Sequence, residues 1–163
     1  MRKLAVSICI LGFLAGASCK RTLPDYGATA TVKMSNGWWV VLYEGSTAVT
    51  NPVFFTTYNT SSNTDSLWLD DLKNGYGFKV KTMVDLNAMT FTGNGLANSY
   101  YIGTTAFPAS VNITSGKVML KAGHSRAGNI TDSINIKAVF SDDPGETWTI
   151  AGVARTGFIE DDY

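Results

Sequence analysis

Ser35-Asn36-Gly37-Trp38-Trp39-Val40-Val41-Leu42-Tyr43 decides the fold class of this chain. The polar pair and the permissive Gly37 end an irregular lead, and the β-branched and aromatic residues that follow are those a strand favours. Successive strand side chains point to opposite faces, so the adjacent indoles belong to different sides of one sheet. One plugs the interior and the other packs outside. The stretch is the foundation of a sheet rather than a paired-indole binding element.

Sheet continues outward from it. Val53-Phe54-Phe55-Thr56-Thr57-Tyr58 predicts a second strand, entered through Asn51-Pro52, and the polar run 59–65 closes a hairpin with Leu67-Trp68-Leu69. Between 77 and 85, Phe78, Val80, Thr82 and Val84 alternate with Lys79 and Lys81, giving one buried and one wet face. Thr90-Phe91-Thr92 follows across a short turn, and Gly93-Asn94-Gly95 is expected to break that strand. The stretch 96–110, with Tyr100, Tyr101, Phe107 and Pro108, fits a strand plus a loop over a barrel mouth. Lys117–Lys121 and Ile134–Phe140 alternate again. Ser141-Asp142-Asp143-Pro144-Gly145-Glu146 is a turn by composition, and residues 147–155 return as the last strand. No helical period persists over three turns. About eight strands with turn signals at short spacing predict an all-β, antiparallel up-and-down barrel, whose closure removes free edges.

The 163 residues suit one domain with a real core. Hydrophobic residues make up 45% and charged residues only 16%, so the surface is rich in Thr, Ser and Asn. Basic and acidic residues number 13 each, which leaves no basic field for a phosphate backbone and argues against nucleic acid as a partner.

Residues 1–18 read as an export signal: Arg2-Lys3, the apolar run Leu4 to Ala15, then Gly16-Ala17-Ser18 before Cys19. The run is too short for a permanent membrane span, which needs about 20 residues. Of the 2 cysteines, Cys9 lies in the removable segment, so the mature chain keeps Cys19 alone and cannot form an internal disulfide. A cysteine at such a cleavage site resembles the bacterial lipobox, with Gly16 where Leu is usual. That resemblance implies an acylated Cys19 and a membrane attachment, since two or three acyl chains anchor stably where one does not. The alternative is a secretory signal with an incidental cysteine. Residues 19–30, with Pro24 and Gly27, then form a tether to a barrel over 31–163. Loss of Arg2 and Lys3 leaves a mature net charge of about −2. Lys20-Arg21 lacks the acidic residues associated with surface export in such lipoproteins, so the expected location is the outer membrane's periplasmic face.

A Gly-Trp-Trp opening strand, a β meander and a last strand ending in Arg155 resemble the calycin superfamily, lipocalins in particular. Thr131-Asp132-Ser133-Ile134, Phe140-Ser141-Asp142-Asp143-Pro144-Gly145 and Arg155-Thr156-Gly157-Phe158 are similar to a family of small Gram-negative lipoproteins described as lipid-binding putative hydrolases. The resemblance implies a calycin-like barrel that binds a lipid or another small apolar ligand. In lipocalins an arginine near the end of the last strand covers a first-strand tryptophan at the barrel floor. Trp39 fits the usual Gly-x-Trp spacing and Arg155 is its expected partner, with Trp38 the other candidate.

The hydrolase half of that description must rest on residues. Gly123-His124-Ser125-Arg126-Ala127 matches the lipase elbow Gly-x-Ser-x-Gly in part. The elbow needs a strand before the serine, a helix after it and a histidine brought from elsewhere. His124 is the only histidine and adjoins Ser125, so the pair is a weak catalytic candidate beside the reading of a polar hairpin loop. Asp142, Asp143 and Glu146 lack the spacing of a calcium loop, so no metal or other cofactor is expected. Phe54, Phe55, Tyr58, Trp68, Phe91, Tyr100, Tyr101 and Phe107 are the expected ligand contacts, each with ordinary core packing as the competing role. The leading expectation is a lipid-anchored, non-catalytic binding barrel. A structural or accessory subunit of an envelope complex and a lipid esterase are the alternatives; no protein partner is identifiable.

Overall fold

The computed structural model describes residues 28–163. The export signal, Cys9, Cys19 and most of the tether lie outside them. Strands β1 (Asn36–Glu44), β2 (Thr47–Ala48), β3 (Val53–Asn59), β4 (Ser66–Asp70), β5 (Lys79–Asp85), β6 (Thr90–Ala97), β7 (Ser110–His124), β8 (Ile130–Phe140) and β9 (Asp143–Ala154) form one antiparallel meander. β2 only hooks back onto the end of β1; the other eight close a barrel because β1 also pairs with β9, from Trp38 opposite Ala154 to Glu44 opposite Trp148. No α-helix occurs among the described residues, only single 3-10 turns at Val32–Met34 and Ile159–Asp161.

Alternation decides what fills the barrel. Trp38, Val40 and Leu42 of β1, Phe55 of β3, Leu67 and Leu69 of β4, Val80 of β5 and Ile134, Ile136 and Phe140 of β8 all point inward and are almost fully buried. A void wide enough for water would give its lining side chains accessible surface. Trp38 is 1% exposed, and Val40, Phe55, Leu69, Phe78 and Ile136 are 0%. The lumen is therefore packed solid by its own side chains, as small eight-stranded barrels can be. Phe91 lays its ring over its cross-strand partner Gly116, where a side chain of any size would collide with it.

Both ends are shut. Where β1 begins, Met34 of the first 3-10 turn is buried against the core, and the Trp38 indole N–H donates to Thr57 Oγ1 at 2.8 Å. At the opposite end the β4–β5 loop folds inward. Its Tyr76 stacks on Phe140 with ring centres 3.6 Å apart, and Trp148 and Phe78 meet the same ring edge-on.

Two local expectations change. Gly93-Asn94-Gly95 does not end β6; the strand runs on to Ala97 through two register shifts. Gly95 takes a left-handed φ of +59°, and its N–H donates to Asn112 Oδ1 of β7 at 2.6 Å, so the ladder continues around the bulge. The β8–β9 reversal occurs at Ser141-Asp142. Asp143, Pro144 and Gly145 already belong to β9, opposite a register shift in β8.

Candidate functional site

With the lumen filled, surface able to hold a ligand lies on the outer wall. Outward residues of β3, β4 and β5 meet there in register: Tyr58 faces Trp68, Trp68 faces Lys81, and Asp70 faces Lys79. The Asp70 carboxylate accepts from the Tyr58 hydroxyl at 3.0 Å and from the Tyr100 hydroxyl, and Lys79 Nζ lies 3.5 Å away. Lys79 Nζ also sits over the rings of Trp68 and Tyr58, at 5.4 and 5.5 Å from their centres. Lys73 sits over Tyr100 and Tyr101 at 4.9 and 5.5 Å. Burial, reinforced by Asp70, pushes the Tyr58 and Tyr100 hydroxyls above their ordinary range, while the neighbouring Tyr58 hydroxyl raises Lys79. At neutral pH the tyrosines are neutral donors and the lysine is a cation.

The loop 98–109 between β6 and β7 carries Tyr100 and Tyr101 to this wall. Asn98, fully buried, holds the loop: its side-chain amide donates to the carbonyls of Gly77 and Pro108 and accepts from the Lys79 N–H at 3.0 Å. Asp71 secures the facing β4–β5 loop, its carboxylate accepting from the N–H groups of Gly77, Phe78 and Lys73. Burial still raises the Asp71 carboxyl against the pull of those three donors. Beside the two anchored loops runs an open groove of about 330 Å³, lined by Trp68, Lys81, Gly95, Leu96, Ala97, Ser99 and Ile102. An indole and aliphatic floor with an ammonium at the edge suits an amphiphile with an acidic head.

Of the eight aromatics singled out in the sequence, the fold brings four together here: Tyr58, Trp68, Tyr100 and Tyr101. Phe55 and Phe91 are core, Phe54 lies on the outer wall of β3 against Trp39, and Phe107 projects from loop 98–109 at 64% exposure. Lys79, Lys81 and Asp70 were not singled out. Alternation did show the two lysines facing away from the core. Their meeting with Trp68 depends on the β4–β5 register, which no local pattern carries.

The indole inside the barrel is Trp38. Trp39 points outward, packs edge-on against Phe54 and Tyr163, and donates its N–H to Asp162 Oδ1 at 3.2 Å. Arg155 meets it outside the barrel: the guanidinium pairs with Asp162 through both carboxylate oxygens, with Nε to Oδ1 at 2.6 Å. Trp39, Phe54, Arg155, Asp162 and Tyr163 line a second open cleft of about 350 Å³.

Ser125 caps its hairpin. Its Oγ accepts from the Asn129 N–H at 3.0 Å, its own N–H donates to the Asn129 carbonyl, and the next element is strand β8 where an elbow requires a helix. No hydrogen bond joins His124 to Ser125 among the described residues, and His124 is exposed while Ser125 is buried.

No curated protein sequence matches the chain. A family model described as lipid-binding putative hydrolase matches residues 23–159, the whole barrel from before β1 to the last 3-10 turn, and the chain belongs to that family.

Proposed function

We propose that this protein is an exported lipoprotein of the outer membrane, acylated at Cys19 and facing the periplasm, whose barrel carries a lipid or other small apolar ligand without catalysing a reaction on it. The observation that carries this reading is the groove beside Trp68. It offers a chain of a lipid-binding family open volume lined by Trp68, with Tyr58, Tyr100 and Tyr101 on the adjoining wall, while the lumen has none to give. The ligand's apolar chain lies along Trp68, Leu96 and Ile102, and its acidic head reaches Lys81. A volume of about 330 Å³ is at the small end of ligand sites, so part of the chain stays outside the groove.

Native mass spectrometry of protein purified without detergent, followed by titration with a panel of fatty acids, tests it. A retained amphiphile, lost in Trp68→Ala and weakened in Lys81→Ala, is the expected result. Absence of any retained or titratable lipid, or binding indifferent to Trp68→Ala, removes the groove.

The solid core specifically favours a second reading, a non-catalytic accessory subunit that docks an envelope complex. Co-purification of a stoichiometric protein partner together with an empty groove would select it.

A further inference from the structure

The twelve large hydrophobic side chains left exposed are not spread evenly. Most stand at the end of the barrel where the chain enters, among them Val32 before β1, Leu86 in the β5–β6 turn, Ile130 at the start of β8, and Phe158, Ile159 and Tyr163 in the tail. Ile159 is 88% exposed and Ile130 67%. The β7–β8 hairpin projects at this end, because β6 pairs with β7 only as far as Lys117, and β7 beyond it pairs with β8 alone. The tail is fixed to that projection: the Asp161 carboxylate accepts from the Ala127 N–H at 2.7 Å and from the Asn129 side chain at 3.2 Å, and Arg126 donates to the Asp162 carbonyl. Phe158 and Ile159 are thus held out on an anchored turn.

The rest of this end has the chemistry of a membrane interface. Trp39 and Tyr163 line the cleft beside the tail, with Arg155 in it and Arg126 over the Tyr163 ring at 5.5 Å. Indole and phenol rings beside arginines are what the headgroup layer of a bilayer accommodates. Lys33 and Lys121 stand at the same end without an ion-pair partner among the described residues. Of the acids there, Asp162 is paired with Arg155 and Asp132 accepts from the Lys121 N–H at 2.7 Å, while Asp65, Asp85 and Glu160 are exposed to solvent.

We infer that this end of the barrel docks on the phospholipid surface, with Phe158 and Ile159 entering the acyl boundary and Lys33, Lys121 and Arg126 meeting phosphates. The inference rests on the proposed acylation of Cys19. Even fully extended, the stretch from Cys19 to Ala28 reaches about 30 Å. The nine-residue β1 runs about the same distance, so turning the opposite end to the bilayer would use up the tether in climbing the wall. The Trp68 groove, flanked by loop 98–109, then faces away from the anchor.

The full chain, processed in cells and reconstituted in vesicles of phosphatidylethanolamine and phosphatidylglycerol, provides the test. Cys9 leaves with the signal and Cys19 carries the acyl chains, so Ile159→Cys or Ile102→Cys supplies the single free thiol for a spin label. The label at 159 is expected to be several-fold more accessible to membrane-dissolved oxygen than to a water-soluble nickel chelate, and the label at 102 to show the reverse. Equal water exposure at both sites overturns the inference, as does exclusion of both reagents at 159, which would mean that a protein covers the end. Intact mass reports acylation separately. If Cys19 carries no acyl chain, sedimentation of the same chain with these vesicles still reads docking. Phe158→Asp or Ile159→Asp should each lower the bound fraction about tenfold, while Val49→Asp, exposed at the opposite end and outside the groove, leaves it unchanged; no binding, or equal effects at 159 and 49, overturns it.

Discussion

Thr57 carries more of the chain-entry end than its size suggests. Its Oγ1 accepts from the Trp38 indole and from the Asn36 N–H at 3.1 Å, and donates to the Met34 carbonyl at 2.5 Å. Thr57→Val keeps the shape and removes all three bonds, leaving buried polar groups without partners. The expected loss is about 1–3 kcal/mol, seen as a lower urea midpoint with an unchanged slope. A slope change would mean that the end opens instead. The same residue explains what was legible about the indoles. Alternation alone places Trp38 and Trp39 on opposite faces. The choice of Trp38 for the inside is made by Thr57, nineteen positions on, together with Met34, and neither contact leaves a local pattern. Arg155 was expected to cover Trp39 at the barrel floor; both stand outside the barrel, joined through Asp162, which belongs to a tail with no strand signal.

At the scale of elements, the tail is a clasp closed by carboxylates. The Thr156 hydroxyl donates to Asp161 at 2.6 Å, and with Ser125, Ala127 and Asn129 it holds the Asp161 carboxyl well below the usual range; Arg155 lowers Asp162 in the same way. A carboxyl lowered on folding binds fewer protons in the closed than in the open form. Its contribution is therefore complete above the ordinary aspartate value of about 3.9 and is lost as pH falls below it. The Trp39 indole N–H resonance, which reports Asp162, should shift toward its open-tail position below that value and hold steady from pH 5 to 8. Asp161→Asn replaces an acceptor with an amide that cannot serve the same donors, so its tail should be open already at pH 7, with a weakened acid response. An Asp161→Asn tail that stays closed at pH 7 would contradict the clasp. Strand identity was readable for β3, β5, β7 and β8 because side-chain alternation and turn residues agree there. β6 was cut short at Gly93 because glycines that admit a bulge and glycines that end a strand look alike, and Asn112, which secures the bulge, lies on the next strand.

For the molecule as a whole, the decisive event is the joining of β1 to β9, the pairing furthest apart in sequence. The strand count and up-and-down order followed from turn signals, but no periodicity says that the last strand returns to the first, nor that the lumen is full. Gly152 holds the seam. It lies opposite Val40, and a Cβ there would sit 1.9 Å from the Trp39 carbonyl oxygen and 2.7 Å from Val40 Cα. Both are backbone atoms of a strand already pinned by β3 on its other side, so nothing flexible can yield. Gly152→Ala must either part the seam locally, exposing the edges that closure hides, or strain both strands. Because all eight strands share one core, the cost should fall on global unfolding: about 3 kcal/mol or more, beyond the ordinary range for one methyl group, and a thermal midpoint lower by about 10 °C. Gly145→Ala, in the same strand with nothing within 4 Å of the new atom, should move stability by no more than about 0.5 kcal/mol. Equal effects for the two alanines in paired thermal and urea melts would mean that the β1–β9 seam does not govern closure. A large loss at 152 alone identifies it as the joint through which the barrel becomes a single cooperative unit.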